Sequence, residues 1–92
     1  MARAPRPQAV ALRYDPQQDA APKVVAKGQG RLAEQILRTA RQHYVPIHYD
    51  PQLVRVLSHL RLDQEIPPQL YQAVAAVLAF LYRMQRPGPE QR

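Results

Sequence analysis

Residues 23–49, KVVAKGQGRLAEQILRTARQHYVPIHY, decide the fold of this 92-residue chain. The opening KVVAK (23–27) is a short apolar run with a β-branched pair, a strand that ends in the turn made by Gly28 and Gly30. From 31 to 43 the spacing turns helical. Leu32, Ala33, Ile36, Leu37 and Ala40 fall on one face; Glu34, Gln35, Arg38, Arg41 and Gln42 fall on the other. Glu34 and Arg38 stand i,i+4 in the favourable orientation, worth ~0.2–0.5 kcal/mol on an isolated helix. VPIHY (45–49) then reads as a further strand. Strand, amphipathic helix and strand in this space predict a βαβ unit, its strands parallel and its crossover right-handed.

Upstream, QAVALRY (8–14) is apolar and extended in character, and Asp15-Pro16 stops it. Residues 15–22 form a loop in which Pro22 biases Ala21 toward an extended conformation. Downstream, Asp50-Pro51 is a helix start, with Asp suited to the N-cap and Pro to the first turn. The helix over 51–60 turns Leu53, Val54, Leu57 and Leu60 inward, and 61–66 connects it to a second start at Pro67-Pro68. The last helix, over 68–84, carries two apolar stripes side by side: Leu70, Val74, Val77, Leu81 and Tyr71, Ala75, Leu78, Tyr82. Ala73, Ala76, Ala79 and Phe80 fill much of the remainder. A small domain cannot cover such a helix on every side, so an apolar strip along it is expected to face outward. Tyr-Asp-Pro occurs at 14–16 and again at 49–51, each time as the stop of an extended run.

The expected architecture is one α/β domain over 8–85, a mixed sheet of three to four strands packed by three helices and containing the βαβ unit. Residues 1–7 and 86–92 contain no Val, Ile, Leu, Phe or Tyr and are expected to be disordered tails. The chain is too short for a multidomain enzyme, and its lack of cysteine excludes a disulfide scaffold, a thiolate nucleophile and a Cys-type zinc site. No apolar run follows the basic start, so a signal peptide is not expected, and the longest uncharged apolar stretch, 73–82, falls far short of the ~20 residues of a membrane span. Half of the net charge of +6 lies in the two tails, and the basic residues of the body are scattered. A small basic nucleic-acid-binding domain is therefore the alternative reading, and it lacks the basic–aromatic interleaving used for stacking.

Other candidate chemistry has a structural explanation beside it. Gly28-Gln-Gly30-Arg-Leu-Ala33 matches the dinucleotide fingerprint G-x-G-x-x-G/A, with Asp50 twenty residues past Gly30 in the place of the ribose-binding acid. Glycines at a strand-to-helix turn need no ligand, and Asp50 before a proline is explained as a cap. His43, His48 and His59 lack i,i+4 spacing, so no metal or acid–base site is expected. Ser58 and His59 are adjacent and cannot share a helix face.

From Ala9 to Met84 the chain resembles the C-terminal cytoplasmic domain of the FlhB/YscU family, type III export-apparatus proteins of flagella and injectisomes. APKVVAKG (21–28) and QEIPPQLYQAVAAVLA (64–79) carry the resemblance most specifically. It implies a mixed sheet surrounded by helices. In the family a membrane domain of several helices comes before this part, so the chain is expected to be a small free-standing, cytoplasmic relative without it. Family members cleave themselves at Asn-Pro-Thr-His by cyclisation of the Asn side chain. The corresponding positions here are Ala4-Pro5-Arg6-Pro7, where only the proline survives, and the chain has no asparagine at all. Self-cleavage is not expected. By the same resemblance, an apolar patch that docks early export substrates falls on Ala21, Pro22, Ala75 and Leu78, residues that helical spacing alone would explain as core. The resemblance implies a non-enzymatic interaction module that takes part in switching substrate specificity. Its expected partners are export-gate components and rod- or hook-type substrates. No cofactor, metal, specific nucleic acid or membrane insertion is expected, and the chain is expected to be a monomer.

Overall fold

The computed structural model describes residues 7–85, with side chains described through Ala79. The tail assignments therefore fall largely outside the described residues, as do Ala4, Pro5 and Arg6 of the degenerate cleavage motif. The element order is β1 (Gln8–Arg13), β2 (Lys23–Gln29), α1 (Arg31–Gln42), α2 (Pro51–Leu57), a 3-10 turn (Pro68–Leu70) and α3 (Tyr71–Gln85).

β1 and β2 form an antiparallel hairpin running from Gln8 opposite Gln29 to Arg13 opposite Lys23, with Val25 as the extra residue of a bulge opposite the Ala11–Leu12 step. The Gly30 N–H donates to Pro7 O at 2.9 Å and extends the pairing by one step. At the other end the connecting loop is built by Asp15. Its carbonyl accepts from the N–H groups of Gln18 (2.9 Å) and Asp19 (2.7 Å), and its Oδ1 accepts from Gln17 N–H at 3.0 Å, the Asx-turn chemistry for which Asp is favoured in loops.

The α/β class and the three helices stand. The third strand does not. Residues 45–49 are coil and exposed, so the sheet has two antiparallel strands, not three or four in a mixed arrangement, and no βαβ unit forms among the described residues. The end of α1 supplies the physical reason. Tyr44 takes the left-handed conformation (φ 59°), Tyr44 N–H donates to Arg41 O at 3.2 Å, and Val45 N–H donates back to Ala40 O at 2.8 Å. This Schellman closure commits Val45's donor to the helix, and Pro46 has no donor at all. A β-branched segment without a strand beside it stays coil, since β-propensity expresses packing against neighbours.

Two boundaries also shift. α2 ends at Leu57, beyond which His59 N–H and Leu60 N–H turn back to Val56 O and Leu57 O at 3.2 and 3.0 Å. Residues 61–66 do more than connect. Val24 N–H donates to Gln64 O (3.0 Å), Asp63 N–H to Val24 O (2.6 Å) and Ile66 N–H to Pro22 O (2.9 Å), so this segment lies along the outer edge of β2.

α2 starts as its sequence predicts: Asp50 Oδ1 accepts from Leu53 N–H at 3.1 Å, and Pro51 occupies the first turn. Ala21, Leu57, Ile66 and Val74 form the buried cluster, and Val10, Leu12, Leu53, Leu60, Leu70 and Leu78 pack against it. Val10 and Leu12 are two residues apart and so share one face of β1. α1 lies against both strands, contributes no residue to that cluster and buries Ala33.

Candidate docking surface

α3 begins behind Pro67-Pro68, whose rings suit an extended approach and a first helical turn but not a helix interior. Val74 is 1% exposed and faces the cluster. Around it α3 shows small residues to solvent: Ala73, Ala75, Ala76 and Ala79 are exposed, Val77 and Leu78 are half-buried, and Tyr71 is exposed. The strip expected on the helix is present, and it is built mainly of alanine.

The four patch residues are divided between core and surface. Ala21 is 3% exposed and belongs to the cluster; Leu78 is half-buried and packs against the same cluster. Pro22 is half-buried and Ala75 is exposed. The structure thus brings Ala21 and Leu78 to one apolar cluster, leaves Ala75 on the surface and holds Pro22 half-buried.

Sequence reasoning missed the group that holds the loop in front of Ala21-Pro22. The Asp19 side chain is 1% exposed, and Arg13 Nη2 lies 2.8 Å from its Oδ1. Arg13 Nε donates to Oδ2 at 3.2 Å, and Asp15 N–H donates to the same oxygen at 3.0 Å. Lys23 Nζ stands 4.0 Å from Oδ1. Hydrogen bonding from Arg13, then from the Asp15 N–H, holds the Asp19 carboxyl below the ordinary carboxylate range against the opposing effect of burial. The same hydrogen bond and the charge of Asp19 raise the Arg13 guanidinium. The one legible signal was an Arg six positions before an Asp across a Pro-containing loop. A second anchor was also missed: Lys27 Nζ donates to Ser58 O at 3.1 Å and Leu60 O at 2.6 Å, placing a cation at the C-terminal end of α2.

The remaining candidates are occupied structurally. A Cβ on Gly28 would meet Leu32 Cδ2 at 2.7 Å and Cβ at 2.8 Å, and Gly30 has φ +59°. Close approach and backbone conformation therefore account for both glycines. The Gly30 N–H, which a phosphate would need, is bonded to Pro7, and Asp50 is spent as a cap. Ser58 Oγ and His59 Nδ1 both donate to Arg55 O, at 2.8 and 2.9 Å, and His43 Nδ1 donates to Thr39 O at 3.0 Å. Among the described residues no three His, Cys, Asp or Glu side chains gather as a metal site, and no helix is long and apolar enough to cross a membrane. A depression of about 550 Å³ on the outer face of α1, lined by Glu34, Leu37, Arg38, Arg41 and Gln42, lies apart from the patch residues.

Comparison with known proteins agrees with the resemblance in the motifs. A family model described as the FlhB HrpN YscU SpaS family matches residues 3–81. The chain is 44% identical over 77 residues to the YlqH protein of Bacillus subtilis, covering 84% of this chain and 83% of that one. It is 46% identical over 83 residues to the flagellar biosynthetic protein FlhB of Salmonella typhimurium, covering 89% of this chain. It spans only 22% of that FlhB's length. Among solved structures, the cytoplasmic domain of FlhB from Shewanella putrefaciens superposes with a TM-score of 0.82 at 40% identity, over 85% of this chain and 64% of that one.

Proposed function

We propose, from the premise that this chain belongs to the FlhB HrpN YscU SpaS family, that it works as a docking module of the flagellar or type III protein-export apparatus. In this role it binds export-gate components and rod- or hook-type substrates, and takes part in switching substrate specificity. One observation carries the reading: the family match runs from 3 to 81 and takes in both the Ala21-Pro22 loop and Ala75 and Leu78 of α3. The alanine-rich strip of α3 supports it, because an exposed apolar strip on a small domain marks a contact surface. The module is non-enzymatic in this proposal. The cyclisation that cleaves family members needs an asparagine, and this chain has none. It acts as a cytoplasmic monomer of one folded unit over 8–85.

Titration of the purified protein with a rod- or hook-type export substrate from the same cell, by calorimetry, tests the reading. Saturable binding that Ala75→Asp weakens at least ~10-fold, with the circular dichroism spectrum unchanged, supports it, since an unpaired charge in an apolar contact is costly. Absence of binding to rod-type substrate, hook-type substrate and export-gate protein alike overturns it.

A further inference from the structure

The two edges of the hairpin are treated differently. The outer edge of β2 is closed by 63–66 through the bonds to Pro22 and Val24. Among the described residues β1 has a single neighbour, β2, and no backbone group of Gln8–Arg13 bonds to anything else. Proteins normally blunt such an edge with lysine, proline or a bulge. Here the middle of β1 is Ala9-Val10-Ala11-Leu12, Pro7 and Arg13 stand at its ends, and the bulged residue, Val25, sits on β2. Ala9 is buried and Val10, Ala11 and Leu12 are half-buried, so what stands open on this edge is backbone.

We infer that the free edge of β1 receives an export substrate as an added strand, paired main chain to main chain along Gln8–Arg13. This rests on the docking function proposed above and adds, apart from the α3 strip, a second place where the same substrate is held. The occupant is an extended substrate segment with alternating apolar residues and no excess of basic ones. An unpaired strand edge selects extended backbone. Val10 and Leu12 already pack on the cluster that also receives Leu78, so alternate side chains of a guest strand continue that apolar face. The chain's net charge of +6 disfavours a basic guest. Affinity from main-chain bonds tolerates sequence variation, as a module serving several substrates requires.

Hydrogen exchange of the whole protein, with and without hook-type substrate, tests the inference. With substrate at ~100 times its Kd, the outward amides of 8–13 are expected to exchange ~100-fold more slowly. The substrate segment protected in the same experiment, synthesised with N-methyl groups on alternate residues, is expected to lose binding, because its side chains remain but its pairing edge is blocked. Binding with no added protection at 8–13, or binding that survives N-methylation, overturns the inference while leaving the docking function intact. Protection at 8–13 that rises with protein concentration without substrate overturns it in favour of pairing between two copies. No binding at all overturns both readings together.

Discussion

The Asp19 carboxylate receives Arg13 through both of its oxygens, Nη2 at 2.8 Å on Oδ1 and Nε at 3.2 Å on Oδ2, with the Asp19 side chain 1% exposed. The pair ties the end of β1 to the loop that runs into Ala21-Pro22. Because Arg13 holds the Asp19 pKa down in the folded state, the pair contributes stability in full above the unfolded-state Asp pKa of ~3.9. That contribution is lost as pH falls through the lower folded-state value. Asp19→Asn removes the charge but not the shape. Its melting temperature is expected to lie below wild type at pH 7 and to converge toward it as pH falls below ~4. A constant gap across that range contradicts the role given to ionised Asp19.

Asp50 is a cap whose effect is local. Its Oδ1 takes the Leu53 N–H at 3.1 Å, and Asp50→Ala leaves that donor without a side-chain partner at the start of α2. Loss of ~1 kcal/mol is expected, read as a lower urea midpoint at an unchanged m-value. An unchanged midpoint means that α2 does not depend on this cap.

Tyr44 occupies a position that glycine fills in most Schellman turns, with φ 59° and the residue 88% exposed. The ring loses little contact when removed, while the left-handed conformation costs an L-residue of this shape ~1 kcal/mol or more. Tyr44→Gly is expected to raise the melting temperature by a few degrees, as ~1 kcal/mol does in a domain of this size. A fall in melting temperature would show that the Tyr44 side chain makes stabilising contacts after all.

The elements set by local chemistry were legible in the sequence. The apolar spacing from Leu32 to Ala40 gives α1 to within one residue of its end, and Asp50-Pro51 gives the start of α2. What the sequence could not convey depends on neighbours. VPIHY has strand composition, yet strand formation requires an adjacent backbone, and Tyr44 turns the chain without a glycine to announce it. The pairing of 63–66 with β2 uses backbone groups that every residue has. Asp19 looks like a loop residue until the fold closes over it and Arg13 reaches back. At the patch the sequence named the residues but not their exposure. Ala21 and Ala75 have the same side chain, and only packing makes one core and the other surface.

The absence of asparagine has a chemical consequence independent of any alignment. With no side-chain amide able to attack and release a following proline, incubation at neutral to alkaline pH is expected to leave a single species of 10.5 kDa by mass spectrometry. A fragment beginning at Pro5 contradicts this.

Ala21 and Ala75 offer the sharpest separation of scaffold from surface, because one substitution has opposite consequences at the two sites. Ala21 is 3% exposed among Leu57, Ile66 and Val74. Ala21→Asp places an unpaired carboxylate there, at a cost of several kcal/mol against a total stability of ~5–10 kcal/mol. That variant is expected to lose the cooperative thermal transition at pH 7. Ala75 is exposed on α3, so Ala75→Asp is expected to unfold within ~0.5 kcal/mol of wild type, as surface substitutions do. Only this second variant can report on docking, because its fold is intact when its partner is lost. A folded Ala21→Asp protein contradicts the core assignment, and an unfolded Ala75→Asp protein contradicts the exposure of the α3 strip. If Ala75→Asp folds and binds substrate as tightly as wild type, the docking surface lies elsewhere on the domain.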